Sequence, residues 1–159
     1  MPILDWIATN LGAFVHILPW TWPIAEAFHF LGLCLLLGAL IVIDLRMMGF
    51  NRGLSAFSVH DLLTLVWIGF TINLVTGVIF YVGDPHRYTP NIAFQLKMVL
   101  VLLAGVNALY YQRKIAPEMA TWTEETESPM NAKVVGGLSL LLWFTILSYG
   151  RLIPYVGTG

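Results

Sequence analysis

Apolar residues fall along this chain in four long blocks, at about residues 23–45, 59–82, 92–111 and 132–155, separated by short polar punctuation. A helix that crosses a bilayer needs about 20 predominantly apolar residues, so each block predicts a membrane span. Asn51, Arg52, Gly53 and Ser55 predict a short loop after the first block, and Gly83-Asp84-Pro85 stops the second. Asn91 is placed to cap the third, on which Lys97, Leu100, Ala104, Asn107 and Tyr111 align on one face. From Gln112 to Asn131 the chain is polar, and Pro117, Pro129, Glu124, Glu125 and Glu127 predict a solvated loop. Gly136 and Gly137 in the fourth block allow close helix approach in lipid.

Ahead of the first span, Leu4, Ile7, Leu11, Phe14 and Leu18 recur every three to four residues while Thr9, Asn10 and His16 lie off that line. This pattern predicts an interfacial helix over residues 3–18. The segment lacks a basic start and carries Asp5 and Asn10, so it is expected to be retained rather than cleaved as a signal peptide. Pro19, Trp20, Trp22 and Pro23 mark the turn and aromatic belt where the first span enters the membrane. The predicted fold is a single all-α integral membrane domain over residues 1–159, a four-helix bundle with an N-terminal interfacial helix.

Composition excludes a soluble domain: 58% of residues are hydrophobic and 11% charged, against about 25% charged in soluble proteins. The net charge of -1 gives no basic surface for nucleic acid. The single cysteine, Cys34, rules out a disulfide framework. Four spans place both termini on one side. Arg46, Arg52, Arg113, Lys114 and Lys133 then fall on the loop side, against Arg87, Lys97 and Arg151 on the side of the termini. By the positive-inside rule the loop side is cytoplasmic, so in a bacterial inner membrane both termini are expected in the periplasm.

Threaded this way, His16, Glu26, His29, His86, Lys97, Met98, Tyr149 and Arg151 gather toward the outer end, and only His60 is opposite. Glu26 and His29 share a helix face, and an ionisable group inside a span is a functional candidate by default. A b-type haem needs a buried imidazole, an apolar slot and basic or hydroxyl groups for its propionates. His29 is the axial candidate, with Gly32 one turn along leaving room for a flat ring and Lys97, Tyr149 and Arg151 near the propionates. Met98, His86 or His16 would fill the second axial position, unless it is vacant. Glu-x-x-His is also a building block of metal sites in bundles. Glu26 with His29, His16 or His86 would make a small copper site, beside the haem or in its place. The bland alternatives are a structural His29, interfacial Glu26, Lys97 and Arg151, and exposed His16 and His86.

The strings WPIAEAFHFLGLCLLLGALIVIDLRMMG, TGVIFYVGDP, NIAFQLKMVLVLLAGVNALYY and LLWFTILSYGRLIPY resemble a family of small bacterial four-helix membrane proteins of uncharacterised function. That family is distantly similar to the membrane domain of CopD-type copper-resistance proteins and to four-helix b-type cytochromes. The resemblance spans nearly all of residues 20–155 and implies a helical bundle that handles haem or copper. It singles out Trp22, Glu26, His29, Asp44, Arg46, Lys97, Asn107 and Arg151 as pattern positions. Diheme relatives carry histidine pairs at both faces, whereas His60 stands alone here, so the expectation is one haem.

The leading expectation is a haem b protein, with or without copper, whose periplasm-facing redox site serves electron transfer with a redox partner; as an enzyme it would be an oxidoreductase. The alternatives are a transport module in which Glu26, His29, Asn73 and Asn107 line a polar path, and a structural assembly subunit, for which a homo-oligomer is natural.

Overall fold

The computed structural model describes residues 2–50, 53, 56–123 and 126–156. The predicted loop residues Asn51, Arg52, Ser55, Glu124 and Glu125, and the side chain of His60, lie outside the described residues. The chain is all-helical among the described residues. An N-terminal helix, α1, joins Pro2–Trp6, a π-helical turn Ile7–Gly12 and Ala13–His16. The long helices are α2 (Thr21–Met48) and α3 (Ala56–Gly83), followed by a short α4 (Pro85–Tyr88). Helix α5 (Ile92–Tyr110) continues through a π-helical turn Tyr111–Ile115 into Ala116–Met119, and α6 (Met130–Leu152) closes the bundle. Four of these helices are long and apolar enough to cross a membrane. Phe30, Val134 and Leu141 stand exposed, as lipid-facing side chains do.

Local chemistry sets the helix ends. Gly49, at φ 94°, closes α2 in the left-handed conformation that glycine adopts at no steric cost. Asn91 caps α5 by accepting from Phe94 N at 3.1 Å. Its amide also donates to the carbonyls of Ile153, at 2.9 Å, and Val156, tying the start of α5 to the end of α6.

Packing follows the small residues. A Cβ on Gly69 would lie 2.6 Å from both Gly32 O and Leu36 N, so α2 and α3 cross there with backbones nearly touching. Gly136 does the same between α6 and α2, where a Cβ would meet Asp44 O at 2.8 Å; Gly137 faces open space. The packed pairs of long helices are α2–α3, α2–α6 and α5–α6. Helices α3 and α5 therefore form the two ends of an open arc, with a cleft between them.

The segment after Tyr111 departs from the solvated loop expected of it. Tyr111, Ile115 and Met119 are buried in a core with Ile43, Met47, Ala132 and Val135. Their four-residue spacing makes one apolar stripe on a segment of polar average, and burial of that stripe folds it under the end of the bundle away from Thr21 and Leu152. Arg46 donates to Thr123 O at 3.2 Å and lies 5.2 Å over the Trp122 ring, and Ser128 Oγ donates to Arg46 O at 3.2 Å. Together these contacts hold the segment as a cap.

Candidate functional site in the outer cleft

His29 enters from α2, where it is half-buried and 5.4 Å from the Phe80 ring. Its Nδ1 lies 2.7 Å from Thr76 Oγ1 on α3. The Thr76 hydroxyl has one proton, and Ile72 O stands 2.7 Å away to receive it. Thr76 is therefore the acceptor for His29, Nδ1 carries the imidazole proton, and Nε2 keeps its lone pair. Nε2 has no hydrogen-bond partner among the described residues. Metal-binding histidines are commonly held in this way, by a hydrogen bond from the other ring nitrogen that fixes the tautomer.

The ring lines a cleft of about 450 Å³ between α3 and α5, floored by α2 and α6. Asn73, Tyr81, Phe94, Lys97, Met98 and Trp143 line it as well. Tyr81 is fixed by its stack on Phe94, at 5.8 Å and 13° between planes, and by a 3.2 Å hydrogen bond to Thr89 Oγ1. Lys97 runs along α6, its Nζ 3.6 Å from the Cβ position of Gly150. Lys97 has no hydrogen-bond or ion-pair partner among the described residues. The site thus combines one free imidazole nitrogen, one ammonium and the Asn73 amide oxygen, which has no hydrogen-bond partner among the described residues, in otherwise apolar and aromatic walls. That set suits a large flat molecule with an anionic edge.

Other predicted residues lie elsewhere. His16 Nε2 donates to Gly83 O at 2.9 Å, capping the end of α3, and its ring stacks on Trp22 at 6.4 Å. His86 Nε2 meets Asp5 Oδ1 at 3.0 Å on the surface, docking α1 against α4. Glu26 accepts from Trp22 Nε1 at 3.1 Å and is exposed. The expected metal set of His29, Glu26, His86 and His16 is therefore divided among separate partners. Among the described residues no three His, Cys, Asp or Glu side chains are grouped to hold a metal ion. Gly32 leaves no slot for a ring, since a Cβ there would lie 2.5 Å from Asn73 Nδ2 and 3.0 Å from Gly69 O. Its small size serves the helix crossing. Arg151 lies over the Tyr155 ring at 5.5 Å, and neither it nor Tyr149 lines the cleft.

From sequence, Asn73 is named only on the polar path of the transport alternative, and Thr76 and Trp143 not at all. Two polar residues three apart on an apolar helix share a face, and that spacing is the signal that ties Thr76 to the site. Compared with known proteins, the chain matches no family model, no curated protein and no solved structure at a significant level.

Proposed function

We propose that this is a haem b-binding membrane protein, with His29 as axial ligand in a cleft that opens toward the periplasmic side. The observation that carries the reading is the hydrogen bond from His29 Nδ1 to Thr76, which presents Nε2 unpaired in an apolar cleft. The cleft volume of about 450 Å³ is within the range of cofactor sites, roughly 300–1,000 Å³. Bound haem would supply one-electron transfer to a redox partner. The chain's own residues do the rest. Thr76 holds the imidazole in one tautomer, Tyr81, Phe94 and Trp143 exclude water, and Lys97 neutralises a carboxylate at the ring edge. Met98 is the one second-ligand candidate that lines the cleft, since His16 and His86 are committed to Gly83 and Asp5.

The test is the ultraviolet-visible spectrum and iron content of the detergent-purified full chain, with haemin added. A Soret band and stoichiometric iron are expected, and both are expected to be lost in His29→Ala. A folded, colourless protein that takes up no haemin overturns the reading.

A further inference from the structure

A second cleft of about 530 Å³ lies deeper in the same arc, toward the inner end. Its walls are almost wholly apolar, but Asp44, Asn107 and Ser139 line it, with the exposed Gln112 beside them. Asp44 is only 1% exposed. The Ser139 hydroxyl on α6 is its side-chain neighbour, yet neither carboxylate oxygen meets a hydrogen-bond partner in proper geometry. Among the described residues no cation lies within ion-pairing distance of it. Arg46, two residues along, is turned to Thr123 and Trp122 of the cap instead. A carboxylate buried without a partner in a membrane bundle is costly, and residues of this kind commonly mark a binding position.

Asp44, Asn107 and Ser139 share one character. Asn107 Nδ2 donates to Val135 O at 3.2 Å, which leaves its amide oxygen as an acceptor. Carboxylate, amide oxygen and hydroxyl together favour a positive charge or a proton donor and disfavour an anion. A hydrated metal ion would find few oxygen ligands in so apolar a space. Tyr111 and Trp143 add aromatic faces of the kind that attract organic cations. We infer that the inner cleft binds an apolar molecule with a cationic head, for which Asp44 is the counter-ion. The two clefts share Leu36, Phe70, Val101 and Trp143, but the counter-ion role of Asp44 does not rest on the haem reading.

The test uses two probes of one shape and opposite charge, tetraphenylphosphonium and tetraphenylborate, with the detergent-solubilised full chain. Saturable binding of the phosphonium is expected, weakened about tenfold or more in Asp44→Asn, with no saturable binding of the borate. Gly105→Leu is the second variant: Gly105 lines the cleft and a Cβ there meets nothing within 4 Å, so the larger side chain fills the space and leaves Asp44 in place. It is expected to weaken phosphonium binding at least as much, and it decides the matter if Asp44→Asn fails to run as a monodisperse protein. Equal phosphonium binding by the folded variants and the natural chain overturns the proposal. So does equal binding of the borate, or no saturable binding of the phosphonium.

Discussion

At the scale of single residues, the chemistry of the outer cleft turns on how one imidazole is held. A histidine inside a span reads from sequence as ligand or structural group, because both need burial and a partner. The partner separates them: Thr76 accepts a hydrogen bond from Nδ1–H and donates its own to Ile72 O, so the ring is oriented but not fully satisfied. Thr76 thereby acts as a positioning residue. The proposed axial role of His29 predicts that Thr76→Val lowers haem affinity by about 10–100-fold, while Thr76→Ser restores it, as read by haemin titration in the Soret region. An unchanged titration in Thr76→Val would mean that the hydrogen bond does not orient a ligand. His16 and His86 show the converse. Each is fully legible as an imidazole near the outer end, and each is spent on joining α1 to the rest of the molecule.

Among the helices, glycine placement decides which faces meet. Gly69 and Gly136 lie in close backbone contact, whereas Gly137, its sequence neighbour, faces open space. Gly69→Ala would force a Cβ against the backbone of Gly32 and Leu36 and is expected to cost about 1–3 kcal/mol. Gly137→Ala, with nothing within 4 Å, is expected to be neutral or stabilising by up to about 1 kcal/mol. Unfolding in mixed micelles titrated with dodecyl sulfate measures both, and equal effects at the two positions would contradict the crossing geometry. The same scale explains the cap. Ile115 and Met119, which continue the stripe from Tyr111, are outweighed in sequence by the prolines and glutamates around them, because average polarity describes exposure only when no apolar stripe runs through it.

For the whole molecule, the chain crosses four times and returns, so both ends of the polypeptide come to one side of the bundle. With Cys34 replaced by alanine, single cysteines at positions 3 and 154 are expected to react with an impermeant maleimide from the outer face, and one at position 120 only from the inner face. Labelling of positions 3 and 154 from opposite faces would overturn the four-span topology; labelling of both from the inner face would reverse the orientation that the basic residues predict. Span number and helical class were legible from hydrophobic pattern because the bilayer imposes a minimum apolar length and requires every backbone group to be bonded within its own helix. The cap of α5 at Asn91 was legible too, being a local interaction. Pattern and threading also placed His29, Lys97 and Met98 toward one end of the bundle, since the rise of a helix is constant. Which of these residues share a cleft, that His16 and His86 turn away from it, and that Asp44 is buried with no hydrogen-bond partner in proper geometry among the described residues were decided only by tertiary structure. Those facts depend on helix rotation and on which pairs of helices touch, and both are set by glycine contacts between segments distant in the chain.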